Sequence, residues 1–157
     1  MEGGRVDLEQ IFRAHQKEIF VYFLRTVGHR DRAEDLAQET FARACGSALR
    51  FRGDSSVRTW MFSIARRVLV DHYRRRPQEM SSSLPEGSRS TDEATRLDVE
   101  RTLAALPIAL REAIVLCDVV GLSPSEAADT TGLTANAFRV RLHRARKQFR
   151  EVYGDER

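Results

Sequence analysis

Residues 123–149 read Ser123-Pro124-Ser125-Glu126-Ala127-Ala128-Asp129-Thr130-Thr131-Gly132-Leu133-Thr134-Ala135-Asn136-Ala137-Phe138-Arg139-Val140-Arg141-Leu142-His143-Arg144-Ala145-Arg146-Lys147-Gln148-Phe149. Ser123 and Glu126 have the spacing of a capping box, and Pro124 takes the first helical position, where its missing N–H costs nothing. A short helix follows, with Ala127 and Ala128 small enough for close packing. Gly132 supplies a tight turn, Leu133 points inward and Thr134 caps a second helix. That helix carries Phe138, Leu142, Ala145 and Phe149 on one face. Its other face carries Asn136, Arg139, Val140, His143, Arg144 and Lys147, flanked by Arg141, Arg146 and Arg150. No acid interrupts residues 135–150. A short helix, a glycine turn and a basic second helix form the geometry that sets the second helix into the major groove of DNA. The basic flanks suit phosphates, while Asn136, Arg139 and their neighbours suit base edges. A solvated charged face on an ordinary helical hairpin is the plainer alternative. The box, the glycine and the acid-free helix together weigh against it.

Outward from this stretch the chain is helical in period and free of strict alternation, so an all-α fold is expected. Leu103 and Leu106 form a short stripe, and Pro107 starts a helix through Leu110, Ala113, Ile114 and Cys117 that ends at Gly121. Residues 77–97 hold Pro77, Pro85, Gly87 and a run of serines. They read as a flexible linker. Before the linker come three helices. The first runs from about Asp7 to Val27, with Leu8, Ile11, Phe12, His15, Ile19, Tyr22 and Phe23 as its apolar stripe and Gly28 as its C-terminal cap. The second starts with Asp31 as its cap and buries Ala33, Leu36, Ala37, Thr40, Phe41, Ala44 and Ala48. Residues Phe51–Ser56 read as a loop, and the third helix spans Val57 to Arg76. The expected architecture is two small helical domains, 1–76 and 98–157, joined by the tether 77–97.

In the third helix Val57, Trp60, Met61, Ile64, Ala65, Val68 and Leu69 fall on the apolar side. Thr59, Ser63, Arg66, Arg67 and Arg74 fall opposite, a set of hydroxyls and guanidinium groups suited to a phosphate backbone and exposed bases. Trp60 reads first as a core residue and second as a stacking platform for an unpaired base. The outer face of the second helix is different. It carries Glu34, Asp35, Gln38, Glu39 and Arg43, and the like charges Asp35 and Glu39 stand at i, i+4. An acidic face on a chain otherwise suited to nucleic acid points to a protein partner.

Composition excludes several classes. The chain has 157 residues, of which 41% are hydrophobic and 31% charged, with 26 Lys+Arg against 23 Asp+Glu and a net charge of +3. That length and hydrophobic share support packed cores rather than disorder. The longest apolar run, Ile19 to Leu24, is too short to cross a bilayer, and Met-Glu-Gly-Gly-Arg at the start is not a signal peptide. A cytoplasmic chain without membrane insertion is expected. Lys17 and Lys147 are the only lysines. The arginine excess fits bidentate contacts or a GC-rich coding bias equally well. Cys45 and Cys117 form no C-x-x-C pair, so neither a disulfide framework nor a cysteine zinc site is expected. The four histidines are scattered, with no H-E-x-x-H, P-loop or G-x-S-x-G motif, so no catalysis, metal or cofactor is expected.

These residues also resemble a family. Asp31-Arg-Ala-Glu-Asp-Leu-Ala-Gln-Glu-Thr-Phe41 is similar to the DAEDLxQETF signature of bacterial sigma factors of the extracytoplasmic-function group. Thr59-Trp60-Met61-Phe62-Ser63-Ile64-Ala65-Arg66 resembles their TWLxxIAR segment. Leu106-Pro107 to Ala113, Gly121-Leu122-Ser123 and Arg141-Leu142-His143-Arg144-Ala145-Arg146 resemble their second domain. The resemblance spans about 8–76 and 98–150. It implies a dissociable subunit of bacterial RNA polymerase that directs promoter recognition and starts DNA melting. It assigns Asp35, Gln38 and Glu39, supported by Leu36, to docking on the core polymerase. It assigns Phe51, Arg52, Gly53, Asp54, Ser55, Thr59, Trp60, Ser63, Arg66, Arg67 and Arg74 to the −10 element. The −35 element falls to Thr134, Asn136, Arg139, Val140, Arg141, His143, Arg144 and Lys147. An anti-sigma factor is the further partner implied. The sequence departs from the family at Arg67, where Asn is common. It departs again at Asn136-Ala137-Phe138-Arg139-Val140, where Gly-Thr-Val-Lys-Ser is usual and two hydroxyl donors are lost.

The tether of about 20 residues reaches at most ~70 Å, equivalent to about 20 base pairs at ~3.4 Å each. As a coil it averages nearer ~25 Å. It lets two domains occupy separated promoter elements or fold together around an inhibitor. The competing reading is a helix-turn-helix regulator that acts without polymerase. Such a protein has no use for the acidic face or a base-opening loop.

Overall fold

The computed structural model describes residues 7–51, 53, 56–81 and 91–155. Among them the regular structure is entirely helical, in the order α1 (Leu8–Val27), α2 (Arg30–Ser47), α3 (Val57–Arg75), α4 (Thr91–Ala105), α5 (Ile108–Ile114), α6 (Pro124–Thr131) and α7 (Ala135–Asp155). Short 3-10 turns follow α2 (Ala48–Arg50) and α3 (Pro77–Ser81), and a π turn (Val115–Val119) extends α5.

Local chemistry sets the helix ends. The Asp7 carboxylate accepts the Gln10 amide at the start of α1, and Gly28, at φ 75°, closes its end by donating to the Leu24 carbonyl. Only a residue without Cβ takes that left-handed conformation cheaply. The expected Asp31 cap is not observed. His29 is the N-cap of α2 without a side-chain bond, and Asp31 lies inside the first turn, where its charge meets the positive end of the helix dipole.

Helices α1, α2 and α3 form one packed group, with Ile19, Tyr22, Phe23, Ala33, Leu36, Met61, Phe62, Ala65 and Val68 in its interior. Helices α4 to α7 form the second, around Leu103, Leu106, Val115, Leu116, Ala127, Phe138, Leu142 and Ala145. Burial of these side chains, at about 25 cal/mol per Å² of apolar surface, drives each group together. Two stripe assignments shift. Phe12 stands 42% exposed, with its ring edge-on to Phe41 at 4.4 Å. Phe62, on no predicted stripe, is fully buried and meets Tyr22 edge-on at 5.7 Å.

The two groups touch: α3 lies against α6, and α1 lies against α4, α5 and the π turn. Helix α3 is therefore covered on two sides. The contact is polar at its centre. Arg111 of α5, 3% exposed, donates to the carbonyls of Leu103 (2.8 Å), Ala104 (3.1 Å) and Leu106 (3.0 Å), and across the junction to Thr26 (2.6 Å). Its cation thus sits at the negative ends of α4 and α1, where burial is compensated. An Arg25–Glu100 ion pair closes one edge.

The stretch 77–97 is structured at both margins. Residues Pro77–Ser81 form a turn held by Glu79, which pairs with Arg32 (3.0 Å) and His72 (2.7 Å). Helix α4 begins at Thr91, inside the stretch expected to be linker. Residues 82–90, the middle of the expected linker, lie outside the described residues.

Candidate nucleic-acid interface

The helix-turn-helix is built as its residues require. Ser123 Oγ accepts the Glu126 amide at 3.1 Å, and Glu126 Oε1 accepts the Ser123 amide at 3.0 Å. The Ser123 amide holds the Glu126 carboxyl below its usual range. Gly132 turns the chain at φ 74°, and Thr134 Oγ1 accepts the Ala137 amide at 3.1 Å. Phe138, Leu142 and Ala145 are buried beneath α7, and Phe149 stacks on Tyr153 with centroids 5.7 Å apart. Asn136, Arg139, Val140, His143, Arg144 and Lys147 are exposed, as is Thr134, while Arg141 is half-exposed. Arg146, a flanking cation, is bound instead to Asp118 at 2.6 and 3.0 Å, which ties α7 to the π turn. The outward set mixes a carboxamide, guanidinium groups and one isopropyl group. These are the chemistries that read base edges, phosphates and thymine methyls.

The polar side of α3 is in a different state. Thr59 is 4% exposed, its hydroxyl accepting from Ser56 Oγ at 2.9 Å. Ser63 donates to the Thr59 carbonyl at 2.9 Å, and Arg66 reaches Glu112 of α5 at 3.3 Å. Arg67 and Arg74 are exposed. Trp60 is neither a sealed core residue nor free: half-buried, it packs on Phe51 with ring centroids 5.0 Å apart. Gly53 is exposed at φ 78°. Arg52, Asp54 and Ser55 lie outside the described residues.

On α2, Asp35 and Gln38 are exposed and Glu39 is half-exposed. Leu36 is 5% exposed and underlies them rather than joining them at the surface. Arg43 holds Glu39 (2.7 Å) and, from α3, Asp71 (2.8 Å), whose carboxyl it keeps below the usual range. A cleft of about 190 Å³ runs between Asp35, Leu36 and Glu39 on one side and His72 and Arg75 on the other. Arg32, beside this cleft, pairs with Glu79. A second cleft of about 330 Å³, between α1 and α2, is lined by Phe12, Phe20, Gln38 and Phe41.

Sequence reasoning missed the residues at the junction: Glu18, Tyr22, Arg58 and Glu112. Arg58 donates to Glu18 at 2.9–3.3 Å and to the Val120 carbonyl. The one available signal was Phe62, an aromatic ring on a side otherwise polar. The histidines do not converge: His15 pairs with Glu18 (2.5 Å), His72 with Glu79, and His143 is exposed. Among the described residues no helix is long and apolar enough to cross a membrane.

Sequence comparison decides the family. The Sigma-70 region 2 family matches residues 11–78, and the Sigma-70, region 4 family matches residues 96–149. The chain is 38% identical to the probable RNA polymerase sigma-C factor of Mycobacterium bovis, across 92% of this chain and 82% of the relative. The chain belongs to the extracytoplasmic-function group of bacterial RNA polymerase sigma factors. This sigma factor is also 31% identical to the RNA polymerase sigma factor YlaC of Bacillus subtilis, across 94% of this chain and 92% of that one. Its fold is similar to that of the sigma factor RpoE of Bartonella quintana, solved with the anti-sigma factor NepR. The TM-score is 0.83 at 25% identity, covering 96% of this chain and 99% of the other. It is also similar to CnrH, solved with the cytosolic domain of CnrY, with TM-score 0.75 at 27% identity, covering 96% and 89%. Helices α1–α3 correspond to region 2 and α4–α7 to region 4.

Proposed function

We propose that this sigma factor directs core RNA polymerase to promoters through three separate faces and begins DNA melting there. The acidic face of α2, with Asp35, Gln38 and Glu39 at the surface and Leu36 beneath, docks on the core enzyme. The Phe51–Trp60 pair, the loop between α2 and α3 and the polar side of α3 receive the opened −10 strand. Extruding a base costs a few kcal/mol and needs a receiving surface. The outward face of α7 reads the −35 duplex. The domain division follows, with residues 1–76 for core and −10 contacts, 77–97 as tether and 98–157 for −35 contacts. The protein acts in the cytoplasm and performs no catalysis of its own. An anti-sigma factor is its inhibitor, a proposal supported by the solved RpoE complex.

The observation that carries this reading is the outward carboxylates of α2, Asp35 exposed and Glu39 half-exposed, on the same chain as the cation-rich, acid-free face of α7. A DNA-binding protein working alone gains nothing from the former. The deciding experiment is capture by bacterial core polymerase, followed by run-off transcription on genomic fragments. The double substitution Asp35→Arg, Glu39→Arg is expected to abolish capture while leaving the helical circular dichroism unchanged, because both side chains lie outside the core. Equal capture by the variant refutes the docking face, and failure of the native chain to bind core refutes the whole reading.

A further inference from the structure

Glu112 stands out at the junction of the two helical groups. It belongs to α5 and is 5% exposed. Its Oε2 accepts the Tyr22 hydroxyl at 2.6 Å, and its Oε1 faces Arg66 Nε at 3.3 Å. Both partners belong to region 2, Tyr22 on α1 and Arg66 on α3. A buried carboxylate is stable only while such partners hold it. The burial of Glu112 is therefore conditional on the two groups staying together. The burial raises the Tyr22 hydroxyl well above its ordinary pKa, with the Glu112 carboxylate adding to the effect, so this hydroxyl remains a donor.

The same contact covers part of one DNA surface, Thr59 and Arg66 but not Arg67 or Arg74, and spares the other. Arg66 is assigned to the −10 strand, and here a carboxylate occupies its guanidinium where a phosphate would bind. Thr59, about two turns earlier, is buried where α3 meets α6, and Arg58 is tied to the Val120 carbonyl. The outward residues of α7 take no part in the junction and stand exposed. We propose that Glu112 is an intramolecular gate: seated on Arg66 and Tyr22, it closes region 4 over the −10 face, so the free chain accepts duplex DNA on α7 while excluding single-stranded DNA from α3. The assignment of α3 to single-stranded DNA rests on the sigma reading above. The gate adds an order of events, in which duplex contact precedes strand capture and strand capture requires Glu112 to leave Arg66.

Two substitutions test the gate in the full chain. Glu112→Gln keeps the volume and removes the charge. Tyr22→Phe removes the hydroxyl, leaves an aromatic ring in the core and changes no charge. Without the hydroxyl the closed form holds an unsatisfied buried acceptor, which opening releases to water. Solution scattering reads closure as the radius of gyration. Fluorescence anisotropy at one fixed salt concentration reads binding to a labelled A/T-rich single strand of about 12 nucleotides and to the same strand in duplex form. Both variants are expected to expand and to bind the single strand about ten-fold more tightly, with duplex affinity unchanged. A gain of that size corresponds to an open fraction of about one tenth in the native chain. Expansion without tighter single-strand binding overturns the gate, as does an unchanged radius in both variants. Equal gains for strand and duplex in Glu112→Gln, with none in Tyr22→Phe, reduce the effect to net charge and also overturn it. Capture by core polymerase, measured on the same native chain, separates failure of the gate from failure of the sigma reading.

Discussion

Helices α3 and α7 can be compared almost residue by residue. Each has an apolar side that fills its own domain: Met61, Ala65 and Val68 in one, Phe138, Leu142 and Ala145 in the other. Each carries arginines opposite. In α7 that opposite side is open, with Asn136, Arg139, His143, Arg144 and Lys147 in solvent. In α3 part of it lies under region 4, with Thr59 buried and Arg66 facing Glu112, while Arg67 and Arg74 stay exposed. Amphipathic period tells which side of a helix its nearest neighbours cover. It is silent about whether a second surface covers the other side, because polar residues that meet polar partners remain polar in the sequence.

The comparison can be broken at its strongest point first. Phe138→Ala removes a fully buried ring that seats α7 on its domain and is expected to cost about 3–5 kcal/mol, measured by urea unfolding. A loss below about 1 kcal/mol would show that α7 is not anchored through its apolar side. Next in size, Arg139→Ala is expected to cost about 1–3 kcal/mol on a preferred −35 duplex and to relax preference at one position. A uniform loss across sequences, with a shallower salt dependence, would assign Arg139 to phosphate and make α7 a positioning helix like the exposed end of α3. The smallest effect concerns the entry to the helix-turn-helix. Ser123→Ala is expected to cost about 1 kcal/mol. The capped Glu126 also sets a sign for pH. Its folded-state pKa is depressed, chiefly by the Ser123 amide, so the cap's contribution is present above the ordinary glutamate pKa and is lost as pH falls through the depressed value. Acid unfolding followed by circular dichroism should show this loss in the native chain and a weaker one in Glu126→Ala, which removes the titrating carboxylate that the Ser123 amide holds. Identical acid profiles would remove the capping box from the account of why α6 is in place.

Much of the interface was legible because its signals are local. The Ser123–Glu126 box, the Gly132 turn and the Phe138–Leu142–Ala145 stripe each act within a few residues, and each appears as read. The exposure of Asp35 and Gln38 followed from the stripe on the other side of α2. Phe12 did not follow its stripe, because α1 outruns the core at its N-terminal end and leaves that ring at the edge of a cleft. Asp31 was read as a cap because Asp caps well, yet the chain enters α2 two residues earlier, with His29 as the N-cap and Arg30 the first helical residue. The margins of the low-hydrophobicity stretch were read as linker. The first margin is drawn into structure by Glu79, whose partners Arg32 and His72 come from two different helices, and the second is the start of α4.

The residues alone determined six helices and a short apolar stripe, the capped turn that makes a DNA-reading motif, and the opposition of an acidic helix face to a basic one. These follow from backbone and side-chain chemistry acting over one or two turns. Only the tertiary structure decided that region 4 closes on region 2, that Arg111 bridges the carbonyl ends of α1 and α4, and that Glu112 meets Tyr22 across 90 residues of chain. Buried charge carries that information. Its position is tolerable only where partners from distant segments converge, and no local pattern records such a convergence.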